Sequence, residues 1–204
     1  MVDLDSLKKQ VQETVDEKRP LLEKIAKYLY DNPELGSEEY KAFKLLTETL
    51  EEHGFTVEKG VYDMPTAFVA TYKGNGSGPK VAVLAEYDAL PGVGHGCGHN
   101  LIASSAIGAG IAASKAIKDL PGEIMVIGTP AEEGHGPSAG SYIGIAPVGT
   151  PGHSIKLAEA TMTKTGLDAL NTGAKALGMT LVELLAKPEI LKEAKEFFDS
   201  PNYF

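Results

Sequence analysis

Apolar positions recur at helical spacing from the start of the chain: Leu4, Leu7, Val11 and Val15, then Leu21, Leu22, Ile25, Ala26 and Leu29. This stripe predicts a helix over residues 4–31, bent or divided at Pro20, because proline removes an intrahelical hydrogen bond. A second helix is predicted over 37–53, with Ser37 as its N-cap, Glu38 and Glu39 at the positive end of the dipole and Gly54 as the stop. Short apolar runs of strand length follow at 55–57, 67–72 and 81–84. The last is closed by Glu86 and Asp88, as in a buried strand that delivers polar groups at its C-terminal end.

Residues 100–118 are rich in Ala, Ile and Ser, with Gly108 and Gly110 inside, which predicts a buried helix lying close on a sheet. Another buried strand, 124–128, ends just before Glu132 and Glu133. Gly, Ser and Pro then dominate: residues 134–141 read as a linker and 142–148 as one further strand. Helical spacing returns over 155–177, and Pro188 separates two closing helices, 180–187 and 189–199. Strands alternating with helices predict a single α/β domain spanning residues 1–204. Its expected architecture is a three-layer α/β/α sandwich around a central, mostly parallel (mixed) sheet.

Composition narrows the partners. A net charge of -9 argues against nucleic acid, whose phosphates require a basic surface. One cysteine excludes an internal disulfide and fits a reducing compartment such as the cytoplasm. The first residues lack the apolar core of a signal peptide, and no apolar run nears the roughly 20 residues of a membrane span. Arg19 is the only arginine, so the usual bidentate clamp for a substrate carboxylate is scarce.

The chemistry is concentrated in two places, Gly94-His95-Gly96-Cys97-Gly98-His99-Asn100 and Pro130-Ala131-Glu132-Glu133. Taken alone, Cys97 and His99 read as a buried thiol and a loop histidine, and the two glutamates as a solvated acidic turn. Together at strand ends they offer sulfur, imidazole and carboxylate, a donor set suited to zinc, manganese, cobalt or nickel. Adjacent side chains point in different directions, so one glutamate can hold a cation while its neighbour faces the attacking water. His153, at a helix entrance, is either a ligand or a turn residue. Asp88 is either a turn former before Pro91 or the group that orients a ligand histidine. For His53, His95 and His135 the ordinary structural reading is favoured.

Three segments carry a resemblance to a known family: Glu86-Tyr-Asp-Ala-Leu-Pro-Gly-Val-Gly-His-Gly-Cys-Gly-His-Asn100, Gly128-Thr-Pro-Ala-Glu-Glu133 and Gly149-Thr-Pro-Gly-His153. In these the chain resembles the amidohydrolase branch of the aminoacylase and carboxypeptidase family of dinuclear metallopeptidases. The resemblance implies that Cys97 bridges two metals, that His99, Glu133 and His153 are terminal ligands, and that Glu132 is the general base. It implies a small amide substrate: an N-acyl amino acid, a dipeptide, or aminobenzoyl-glutamate. In that family a lid and dimerisation domain is inserted between the glutamate pair and the last ligand histidine. Here residues 134–141 stand in its place as a short linker. The expectations that follow are weak or lost hydrolysis, one metal or none, and a monomer. His135 is a candidate substitute for a ligand histidine that has no clear counterpart. The competing functions are a non-catalytic metal-binding or structural scaffold and, more weakly, a Cys-His nucleophilic hydrolase. The last lacks an orienting partner, and a metal would quench its thiolate.

Overall fold

The computed structural model describes residues 3–132 and 143–198. The first stripe forms α1 (Leu4–Asp31), capped by Asp3, whose carboxylate accepts the Ser6 N–H. Pro20 lies inside α1 without dividing it. Proline at an exposed position frees a carbonyl that water can take. The buried stripe Val11, Val15, Leu22, Ile25, Ala26 and Leu29 continues past it, and its packing outweighs the local loss.

The second helix, α2 (Tyr40–Glu52), starts later than Ser37. Ser37 has a φ of 69° and does not cap it. The cap comes from Glu34, whose carboxylate accepts the N–H groups of Lys41 (2.8 Å) and Ala42 (2.9 Å). A side chain reaching from six residues before the helix leaves no S/T-type signal at the boundary.

Four strands follow: β1 (Thr56–Lys59), β2 (Phe68–Lys73), β3 (Lys80–Glu86) and β4 (Glu123–Thr129). Between the last two runs α3 (His99–Ala116). The sheet order is β1-β2-β4-β3. Among the described residues the β3–α3–β4 crossover supplies the one parallel pair of strands, Val83 opposite Val126, while β1–β2 and β2–β4 are antiparallel. This is the predicted α/β class with a mixed sheet, but the pairing is mostly antiparallel rather than mostly parallel, because only β3 and β4 are joined through a crossover helix. Phe68, Ala70, Val81, Val83, Ala85, Ile124 and Val126 form the buried face. There α3 lies so close that a Cβ on Gly110 would stand 2.5 Å from Val126, which is the near approach its small residues imply. Phe43 of α2 packs on Phe68 of the same face, ring centroids 6.3 Å apart. The opposite face is thinly covered: Val69, Thr71, Met125 and Ile127 are half-buried and Leu84 is 49% exposed.

The predicted 155–177 helix is two: α4 (Ile155–Thr161) and α5 (Lys164–Ala186). Thr163 breaks them by capping α5 with its hydroxyl, and Gly178 stays inside α5 with Val11 of α1 against it. Pro188 opens α6 (Pro188–Phe198), where its missing N–H costs nothing. The helices α1, α3 and α5 pack on one another. The strand read at 142–148 has no regular structure from residue 143 onwards, and Tyr142 lies outside the described residues. No helix among the described residues is long and apolar enough to cross a membrane.

Candidate metal centre

Parallel pairing sets the C-terminal ends of β3 and β4 side by side, Glu86 opposite Thr129, and the Thr129 hydroxyl donates to the Ala85 carbonyl at 3.2 Å. Such strand ends are where α/β sheets present their ligands. Glu86 ends β3, Asp88 follows two residues later, and Glu132 follows β4. His99 enters from above as the first residue of α3, behind Gly98 at a φ of 92°.

Four of these side chains meet at one point. The buried His99 ring sets Nδ1 2.9 Å from the Asp88 carbonyl and 3.1 Å from Asp88 Oδ1. Its Nε2 faces Glu86 Oε2 at 3.5 Å and Glu132 Oε2 at 3.4 Å. Ligand atoms of Glu86, His99 and Glu132 all lie within 4.8 Å of one another. Burial opposes protonation of His99. Hydrogen bonds to Asp88 and Cys97, with their charge, outweigh that and hold its pKa up to about 11.

The donor set fits a divalent cation. Ligands each about 2.1 Å from a tetrahedral ion stand about 3.4 Å apart, the spacing found around Nε2. Asp88 holds the far nitrogen, as is usual behind a metal-binding imidazole. Side-chain exposure rises from 3% at His99 to 14% at Glu86 and 22% at Glu132, so Glu132 is the carboxylate turned most towards water.

The other candidates are distributed around this cluster. Cys97 is half-buried and within hydrogen-bonding reach of His99. His153, exposed and at a φ of 52°, is carried to the same loop by its backbone N–H, which donates to the Gly96 carbonyl at 3.0 Å. Gly96 permits that approach, since a Cβ there would meet Val93 at 2.6 Å and the Ser154 backbone at 3.0 Å. Glu133, His135 and the 134–141 linker lie outside the described residues. His95 is buried with Nε2 3.1 Å from the Leu29 carbonyl. Burial, then the charge of His99, pushes its pKa down to about 4, so the neutral ring donates to that carbonyl. His53 bonds the Thr49 carbonyl at the end of α2. The sole arginine, Arg19, is engaged by Glu23 (2.7 Å) and Asp168 (2.6 Å) between α1 and α5.

Sequence reasoning gave Glu86 no ligand role. Its position as the last residue of an apolar strand, two before Asp88, was the available signal. Asn100 likewise proves to be a tether: fully buried, it donates to the Thr161 hydroxyl at 3.0 Å and fastens α4 to α3.

No family model matches the chain. It is 36% identical over 146 residues to a Xaa-Arg dipeptidase of Mus musculus, covering 66% of this chain and 34% of that protein. To one of the subunits of p-aminobenzoyl-glutamate hydrolase from Escherichia coli it is 35% identical over 143 residues, covering 61% and 29%. This chain thus spans about a third of the length of these curated relatives. Among solved structures it is similar to a dinuclear metal-binding peptidase of the M20 family from Bacillus subtilis. The TM-score is 0.54 at 29% identity, over 58% of this chain and 36% of that one. Over about 60% of its length this chain thus has homologues among curated dipeptidases and amide hydrolases and a structural neighbour among the dinuclear metallopeptidases of the M20 family.

Proposed function

We propose that the chain is the metal-binding part of an amide hydrolase acting on small peptides or N-acyl amino acids. The observation that carries this reading is the convergence of Glu86, His99 and Glu132 at one sheet end, with Asp88 behind the imidazole. A divalent cation held there would supply Lewis acidity, polarising a scissile carbonyl and lowering the pKa of water towards neutrality. Glu86 and His99 would hold it, with Cys97, His153 and Glu133 as the further ligands that the family resemblance implies. Asp88 fixes the His99 tautomer so that Nε2 presents its lone pair. Glu132, the most solvent-facing carboxylate of the cluster, takes the proton from the attacking water and returns it to the leaving amine. The relatives' names favour dipeptides ending in arginine and aminobenzoyl-glutamate as first substrates to try. A net charge of -9 suits a small molecule better than nucleic acid, and a thiol ligand at Cys97 suits a reducing compartment.

With residues 134–141 as a short linker, substrate is positioned by few groups and turnover is slow. Loss of one oxyanion donor alone typically costs about 100- to 1,000-fold. The test is Glu132→Gln in manganese- or zinc-loaded protein. Turnover of an N-acyl amino acid or dipeptide should fall at least about 100-fold while the metal stays bound. Turnover unchanged by this substitution refutes the assignment. Metal binding with no turnover in the unaltered chain would favour the scaffold reading.

A further inference from the structure

The segment Pro33–Glu39 lies outside the cluster and the mechanism uses none of it, yet it touches both loops that build the site. Glu39 is 0% exposed. Its Oε1 accepts the N–H of Ser37 and the N–H of Ala131, each at 2.9 Å, and its Oε2 accepts the Thr66 hydroxyl at 2.8 Å. Both residues that give it a backbone N–H are non-glycine residues in the left-handed region, Ser37 at 69° and Ala131 at 56°. Ala131 directly precedes Glu132. Gly36 closes the same contact, since a Cβ there would stand 3.0 Å from Ala131. On the other side, the Tyr87 hydroxyl donates to the Thr66 carbonyl, and Tyr87 sits between Glu86 and Asp88. The Ala89 N–H donates to the Glu34 carbonyl at 2.8 Å, and Leu35 bridges Ala89.

We propose that Glu39 is a positioning residue: its buried carboxylate clamps the strained Ala131 backbone and, through Thr66, steadies the Glu86–Asp88 loop, so that the site's carboxylates converge on His99. A carboxylate suits the task because it only accepts, and all three groups facing it donate. Holding two backbone amides in a conformation they otherwise avoid needs a partner that is itself immobile, and Glu39 is fully buried at the start of α2, bonded to Ser37, to Thr66 and to Ala131. This rests on the metal-site reading above.

The experiment uses the full chain with Glu39→Ala and Glu39→Gln, manganese titration by calorimetry, and hydrogen exchange at the Ala131 amide. Glutamine keeps one oxygen for the two amides and donates to the Thr66 hydroxyl, so it should restore most of what alanine loses. The expected result is manganese affinity weakened about 10- to 100-fold in Glu39→Ala. Faster Ala131 exchange and an unchanged far-UV spectrum should accompany it, with Glu39→Gln close to the unaltered chain. Unchanged affinity together with unchanged exchange in Glu39→Ala overturns the proposal, as does a glutamine variant no better than alanine. If Glu39→Ala does not fold, Thr66→Val decides: faster Ala131 exchange supports the clamp and unchanged exchange overturns it. Should the unaltered chain bind no manganese, the functional reading fails, while the Ala131 exchange still tests the clamp.

Discussion

At Gly96 one hydrogen atom in place of a side chain admits a second loop. The His153 N–H reaches the Gly96 carbonyl only because nothing occupies the space next to Val93 and Ser154. Gly96→Ala should therefore displace residues 151–154 from the Cys97 loop. Weaker manganese binding with little loss of helix, read by calorimetry and far-UV circular dichroism, is the expected result. A second residue sets an acid response. Hydrogen bonds from Lys187 and then Lys8 push the Glu183 pKa down to about 2. A carboxylate lowered in the folded state contributes its stability above its ordinary pKa, 4.5, and loses it as pH falls towards 2. Its side chain is 30% exposed, so solvent and salt keep the effect small. In Lys8→Ala, carbon-detected NMR titration should find the Glu183 midpoint moved upward, part of the way back to 4.5. Cys97, His99 and Asp88 stood out as candidates in the sequence, the first two between glycines and the third just past an apolar strand. Glu39 and Glu34 did not stand out. They look like helix-start acids, and what distinguishes them is the donors brought to them from residues 41, 42, 66 and 131 by the fold.

Among the elements, periodicity predicted those whose burial is one-sided or complete. The stripe of α1, the small-residue helix α3 and the apolar runs β3 and β4 were all legible as elements, but the unbroken runs read as buried strands while only alternate residues of β3 and β4 are buried. Boundaries governed by distant caps were not. The start of α2 depends on Glu34, and the α4–α5 break on the Thr163 hydroxyl within an uninterrupted apolar pattern. Glu34→Ala should strip the first-turn amides of Lys41 and Ala42 of their acceptor. Loss of such a cap typically costs about 1 kcal/mol, to be read as a lower urea midpoint with an unchanged slope. A midpoint equal to the unaltered chain would mean that water replaces the carboxylate without cost. Because Glu34 also gives its carbonyl to Ala89, the same variant perturbs the cap and leaves that backbone link intact, which keeps the two effects separable.

Across the whole molecule, the elements meet in a way no local pattern could announce: β3 and β4 end together, α3 begins between them, and the segment before α2 braces both ends. That arrangement makes the grouping of Glu86 with His99 and Glu132 readable only in three dimensions. The sheet face bearing Val69, Met125, Ile127 and Leu84 has a thermodynamic consequence of its own. Those side chains already touch water in the native state, so denaturation transfers less greasy surface into solvent than chain length suggests. Calorimetry on the isolated chain should return a heat-capacity increment below the usual ~12–15 cal/mol/K per residue. The urea slope should be shallow to match. An increment at or above that range would mean that this face is sheltered in solution.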